Sequence, residues 1–209
     1  MSAADGAVTL AMTGASGAAY GLRLLECLLA AGRPVYLMIS PPGQIVIAQE
    51  TELRLPAHPK EIAGHLGERY GARPGQLTVL APNQWFSAPA SGSGSPAATV
   101  VCPCTSGTLA AIAQGASDNL IERAADVAIK EQRKLILVVR EMPLSAIHLE
   151  NMLKLARLGV VIMPASPGFY QNPRGVNDLV DFVVARVLDH LGVPHRLLPR
   201  WGADDRAPE

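Results

Sequence analysis

Several short stretches of this chain bring together residue types that suit the handling of an anion. Thr13-Gly14-Ala15-Ser16-Gly17-Ala18 is a glycine turn carrying a hydroxyl at the start of a helical stretch. Such a turn offers backbone N–H groups and the positive end of a helix dipole to a phosphate, or is simply a tight turn. Cys102-Pro103-Cys104-Thr105-Ser106-Gly107-Thr108 is a second hydroxyl-rich turn. It reads equally as a ribityl-phosphate cradle and as an N-cap cluster for the helix that follows. Arg140-Glu141 ends an apolar run, where a charged pair needs partners. Arginine grips phosphate bidentately and glutamate there suits proton transfer or the orientation of a hydroxyl, with a structural salt bridge as the alternative.

Around these lie weaker candidates. Tyr170 sits in the proline-rich segment 164–173, as a packing residue or an aromatic hydroxyl at the same edge. Arg123, Lys130 and Arg186 fall in stretches of helical period, where a solvated face is the ordinary explanation. Trp85 and Trp201 both fall outside regular elements, as a lid, a subunit contact or a plug. Cys104 has no histidine or basic neighbour in sequence to activate it as a nucleophile. The five histidines show no ligand spacing, so no metal is expected.

The elements that must position these residues follow from periodicity. Short β-branched runs at 8–13, 35–40, 77–81, 99–102, 135–139 and 160–163 alternate with helical patterns, the mark of βαβ units and a parallel sheet. Helices are expected over 18–31, 45–50, 108–114, 122–131, 148–158 and 179–191, with 51–75 a mixture of helix and loop. In the first, Leu24, Leu25 and Leu28 share a face; in the fourth, Ala125, Ala128 and Ile129 are expected inward, and in the fifth, Leu149, Met152, Leu153 and Ala156 recur at helical spacing. The chain thus predicts one α/β domain over 1–209, a Rossmann-like or flavodoxin-like doubly wound sheet in three layers, with a C-terminal tail from about 193. In that architecture ligands bind at the carboxyl ends of the strands, where these candidates lie. Strand two ends at Ser40 and not at an acid that would bind the ribose of a dinucleotide, which favours a mononucleotide or sugar phosphate.

Composition narrows the classes of partner. Eighteen basic and eighteen acidic side chains cancel, which removes the electrostatic footprint of a nucleic-acid or anionic-membrane binder. Charged residues are only 17% and 49% of the chain is hydrophobic, so subunit interfaces are expected. The apolar runs are too short to insert into a membrane, and 1–12 has no signal-like pattern, so a cytoplasmic protein is expected. Three cysteines make a disulfide scaffold improbable.

Taken together, TGASGAAYG at 13–21, QET at 49–51, SGS at 91–93, CPCTSGTLAAIAQG at 102–115 and the block 119–155 resemble the flavin prenyltransferase family. These are the UbiX-type members of the homo-oligomeric flavin-containing decarboxylase-like fold. VVIMPASPGFYQNP at 160–173 and LPRW at 198–201 extend the resemblance nearly end to end. It implies transfer of a dimethylallyl group from dimethylallyl monophosphate to N5 and C6 of reduced FMN, with no metal. The product, prenylated FMN, would serve UbiD-type decarboxylases, and the assembly would be a homododecamer with sites at subunit interfaces.

The resemblance also distributes roles. Gly14, Ala15, Ser16, Ser40, Thr105, Ser106, Gly107, Thr108 and Arg140 would hold FMN, and Glu50 would sit close to the reacting flavin. Tyr170 and Arg186 would hold the prenyl phosphate, helped by Ser16, Arg123, Lys130 and Glu141. Trp201, with Trp85, would line the prenyl pocket, and Glu141 or the released phosphate would handle the proton. Three positions depart from the family pattern: Thr105 for serine, Gln171 for histidine, and Pro41-Pro42 for lysine and alanine. The alternatives are a flavin-dependent cysteine decarboxylase of the same fold, whose P-x-M-N-x-x-M-W segment is missing here, and a non-catalytic FMN-binding protein.

Overall fold

Parallel strands need crossovers, and the alternating pattern supplies them. The computed structural model describes residues 6–198. Strands β1 (Val8–Met12), β2 (Val35–Ile39), β3 (Leu77–Leu80), β4 (Ala98–Cys104), β5 (Lys134–Val139) and β6 (Val161–Pro164) form one six-stranded sheet. Every pairing is parallel, in the order β3-β2-β1-β4-β5-β6. The chain winds outward from β1 to β3, then returns to lay β4 against β1. This reversal opens a crevice at the carboxyl ends of β1 and β4.

The helices are α1 (Ala18–Ala30), α2 (Pro41–Glu50), α3 (Pro59–Arg69), α4 (Ser106–Gln114), α5 (Leu120–Lys130), α6 (Ala146–Arg157) and α7 (Val176–Leu191). Strand alternation splits the core between two faces. Val8, Leu10 and Met12 of β1 pack with α1, α2, α3 and α7, whereas Ala11 faces α4, α5 and α6. Leu24, Leu25 and Leu28 are fully buried as their spacing predicts. Helix α1 lies so close to the sheet that a Cβ on Gly21 would stand 2.4 Å from the Cys102 carbonyl oxygen.

Several boundaries differ from expectation. Helix α2 begins at Pro41 and not at 45, because prolines in a first turn lose no hydrogen bond the helix needs. Helix α4 begins at Ser106 and α7 at Val176, ahead of the expected starts at 108 and 179, since a first turn can be polar. Strand β4 extends to Cys104. The mixed region resolves into α3, which buries only Ile62 and Leu66 and so shows little pattern.

The inward face of α6 is not the one its apolar spacing marks out. Asn151 and Leu155 are buried, while Leu149 and Leu153 are 52% and 51% exposed and Ala156 is exposed. The helix carries apolar residues on more than one side, so periodicity cannot choose which side meets the sheet. Met142, Leu144 and Ile147, just before or in the first turn of this helix, are exposed as well. Among the described residues no helix is long and apolar enough to cross a membrane.

Candidate functional site

A cleft of about 350 Å³ opens at the carboxyl ends of β1 to β4. Its wall includes Thr13, Gly14, Met38, Ser40, Pro42, Leu80, Thr105, Thr108 and Asn119. That volume lies within the range of small-ligand sites. Three helices point their amino ends here: α2 capped by Ser40, α4 capped by Thr105, and α5 capped by Asn119. Their dipoles make the cleft favourable for an anion.

The caps engage hydroxyls that the resemblance assigns to a ligand. Ser40 Oγ accepts the Gly43 N–H at 3.1 Å, and Thr105 Oγ1 accepts the Thr108 N–H at 3.0 Å while donating to Thr108 Oγ1 at 2.9 Å. Thr13 joins the two central strands: its buried Oγ1 donates to the Pro103 carbonyl at 2.8 Å and accepts the Thr105 N–H at 2.9 Å. Gly14 is fixed by packing, since a Cβ there would stand 2.5 Å from Pro42 Cβ. Thr13 and Pro42, named in their motifs without a ligand role, and Asn119, which the sequence reading does not single out, also line the cleft. Only Asn119 had a usable signal, an asparagine immediately before an amphipathic helix.

Beside the cleft lies a second cluster on the β1–α1 turn and the end of β5. The amino end of α1 already holds an anion, the carboxylate of Glu50. Its Oε2 accepts the Gly17 N–H at 2.9 Å and the Ala18 N–H at 2.8 Å. Burial pushes this carboxyl upward, but the Ser16 hydroxyl, the two N–H groups and the Arg140 guanidinium together hold it below the ordinary value. The turn 13–18 therefore binds a side chain of its own chain, and a phosphate there would have to share or displace it.

Arg140 is the cation at the end of β5, its N–H bonded to the Cys104 carbonyl at 3.2 Å. Its Nε is buried with no hydrogen-bond partner. A buried guanidinium nitrogen left unpaired is costly and marks a place for an acceptor. Next to it, Glu141 accepts from Ser106 Oγ at 2.8 Å and from the Met142 N–H at 3.2 Å. The Ser106 bond first, then the Met142 N–H, Arg140 and His148, lower its carboxyl below the usual range. Ala15, Ser16, Ser106, Gly107, Arg140 and Glu141 thus adjoin the cleft without lining it.

The remaining candidates are dispersed. Tyr170 packs edge-on against Phe182 with ring centroids 5.6 Å apart. Phe182 and Arg186 are one turn apart on α7 and share a face, which places Arg186 in the neighbourhood of Tyr170. The Arg186 guanidinium pairs with Asp189 at 2.6 Å. Arg123 is turned toward the 3-10 turn Ala88–Ala90, donating to the Ala90 carbonyl at 3.3 Å and pairing with Asp126 at 2.9 Å. Trp85 follows β3 in an exposed turn outside the cleft wall. Trp201 lies outside the described residues.

Lys130 is not at its own site. Helix α5 starts at the cleft and runs back toward the amino ends of the strands, so Lys130 is carried about 15 Å away along the axis. There it pairs with Glu131, against Gly92. Burial pushes the Cys104 thiol up to about 12 and the Cys102 thiol higher still, so neither is an available nucleophile. No group of metal-ligating side chains occurs among the described residues.

Comparison with known proteins adds to this geometry. The Flavoprotein family model matches residues 3–188. The flavin prenyltransferase UbiX of Pseudomonas aeruginosa is 60% identical over 195 residues, which are 93% of each chain. AnUbiX (PadA1), solved in complex with FMN and dimethylallyl pyrophosphate, superposes with a TM-score of 0.84 at 37% identity, over 96% of this chain and 100% of that one. A dodecameric FMN-dependent UbiX-like decarboxylase from Escherichia coli O157:H7 superposes with a TM-score of 0.82 at 41% identity, over 94% and 100%.

Proposed function

Because this chain belongs to the Flavoprotein family, and within it to the UbiX-type flavin prenyltransferases, we propose that it transfers a dimethylallyl group to reduced FMN and releases prenylated FMN. The observation that carries this reading is the unpartnered Arg140 Nε beside Glu141, at the rim of a mononucleotide-sized cleft under three helix amino ends. Those residues fit FMN: the cleft is of the size of a small-ligand site, the helix dipoles favour a phosphate, and the buried Arg140 Nε lacks an acceptor. When bound, reduced FMN supplies two nucleophilic positions, N5 and C6.

The chain's own residues supply the rest. Gly14, Ser40, Thr105 and Thr108 shape the flavin cleft, with Ala15, Ser16, Gly107 and Arg140 at its edge. Glu50 braces the Gly17–Ala18 end of the turn that bears Ser16. Tyr170 and Arg186, with Arg123 and Lys130, hold the prenyl phosphate. Each hydrogen bond to that charged group is worth about 1.5–3 kcal/mol as the C–O bond breaks. Trp201, with Trp85, would line the prenyl pocket, where an aromatic face stabilises a cationic allyl group by about 2 kcal/mol when desolvated. Glu141 accepts the proton that leaves C6. A leaving phosphate neutralised by side chains needs no metal.

The position of Lys130 at the far end of α5 supports a site completed by a neighbouring copy. The exposed apolar side of α6 and the scarcity of surface charge support the same assembly, a homododecamer in the cytoplasm. The 1–209 chain acts as one flavoprotein domain; its tail from 193 begins by packing Val193 and Leu197 against the core. The product serves a UbiD-type decarboxylase.

The test is anaerobic incubation of the purified protein with reduced FMN and, in parallel, dimethylallyl monophosphate and diphosphate, followed by mass spectrometry of the flavin. Prenylated flavin from the monophosphate is the expected result. Only unmodified FMN, from a protein shown to bind both ligands, would overturn the reading. A cysteine decarboxylase or a mere FMN carrier would give the same negative, and neither needs a carboxylate pinned beside Arg140.

A further inference from the structure

Ser106 stands in the hydroxyl-rich turn expected to hold flavin, yet its hydroxyl is turned away from the cleft. Its Oγ lies 2.8 Å from Glu141 Oε2 and donates to it, while the Met142 N–H reaches Oε1 at 3.2 Å. We infer that the Ser106 side chain is a positioning group that holds Glu141 as the proton-accepting carboxylate of the prenyl transfer, its hydroxyl serving Glu141 and not the flavin. The inference rests on Glu141 being the acceptor of the C6 proton.

The geometry has a direct chemical consequence. A donor at each oxygen fixes the plane of the carboxylate and stabilises its charged form. About four lone-pair sites are available on an ionised carboxylate, so the two donors leave room for an incoming proton. The C6–H electron pair stays with the flavin, the proton passes to a Glu141 oxygen, and from there it passes to the phosphate already released.

The surroundings push the same way. Ser106 is the first residue of α4, capped by Thr105, so the dipole of that helix also favours negative charge at Glu141. Arg140 from the end of β5 and His148 from the first turn of α6 are the charged or titratable groups acting on it, and both add to the effect of Ser106. The ring of His148 is itself held, its Nδ1 accepting the Ser145 N–H at 3.2 Å. Ser106 and Glu141 are 35 residues apart, on elements locked together by the Arg140 N–H bond to Cys104.

The experiment compares Ser106→Ala, Ser106→Thr and Glu141→Gln with the unaltered protein, using FMN affinity by fluorescence titration and the single-turnover rate across pH. Ser106→Ala is expected to keep FMN affinity within about twofold and to move the acid limb of the rate profile upward by about half a pH unit. The sign follows from the bond it removes: without the donor, Glu141 protonates at higher pH and loses its role earlier as pH falls. Ser106→Thr retains the hydroxyl and is expected to keep the limb in place. If Ser106→Ala leaves the limb unmoved, or weakens FMN binding more than tenfold instead, the positioning role is overturned. If Glu141→Gln turns over at the full rate, the proton-acceptor reading itself falls.

Discussion

Replacing Glu50 with glutamine removes a charge from the amino end of α1 and keeps the shape of the side chain. The carboxylate accepts the Gly17 N–H at 2.9 Å and the Ala18 N–H at 2.8 Å, on a helix whose own cap residue, Gly17, offers no side chain. A negative charge at a helix amino end contributes about 0.3–1 kcal/mol. Loss of charge assistance in the two short hydrogen bonds adds about 1 kcal/mol, taken at the low end because the side chain is partly exposed. The total is about 1–2 kcal/mol, or a fall in Tm of about 2–8 °C for a chain of this size. Thermal unfolding at one fixed protein concentration measures it, since assembly makes Tm depend on concentration.

The pH dependence checks the cause. The folded carboxyl lies below its ordinary value of 4.5, so its stabilisation is complete above that value and is lost as pH falls through the folded one. The gap between the two proteins should therefore hold from pH 6 to 8 and close in acid. Equal melting at neutral pH, or a gap undiminished in acid, would refute the proposed cap.

Three further outcomes are expected. Glu141→Gln should bind FMN normally yet form product at least about tenfold more slowly, as measured by single-turnover quenching and mass spectrometry. Thr13→Val should lose both hydrogen bonds that tie β1 to β4, lowering stability by about 1–3 kcal/mol in urea titrations and weakening FMN binding with it. Lys130→Ala and Glu141→Gln subunits, each slow alone, should gain activity when dissociated and reassembled together. Roughly a quarter of the sites would then combine one chain's Glu141 with a neighbour's Lys130. No recovery in mixed assemblies of confirmed composition would place Lys130 outside the neighbour's site.

Much of the sheet was legible because its signals are local. Runs of four to seven apolar and β-branched residues alternating with helical patterns read as the buried strands of a parallel sheet, and the candidates fell at their carboxyl ends. The misses share a cause as well. Helix α3 has only two buried residues, and α6 has apolar residues on both its inner and outer sides, so periodicity underdetermined each. The resemblance groups Lys130 with the phosphate ligands without saying of which subunit, and only the direction of α5 in the fold shows that it lies away from its own chain's cleft.

The sequence by itself determined the architecture, the absence of a dinucleotide-type acid after β2, and which residues stand near strand ends, since all of these depend on neighbours along the chain. Tertiary structure alone decided what each polar group does there. Ser40 and Thr105 became caps, Glu50 reached back 33 residues to fill the anion site of α1, and Ser106 met Glu141 across 35. A hydroxyl or carboxylate has few bonding sites, and which partner occupies them is settled by packing between distant segments. Arg140 Nε, buried and still unpaired after that settlement, is what the finished fold leaves for a ligand.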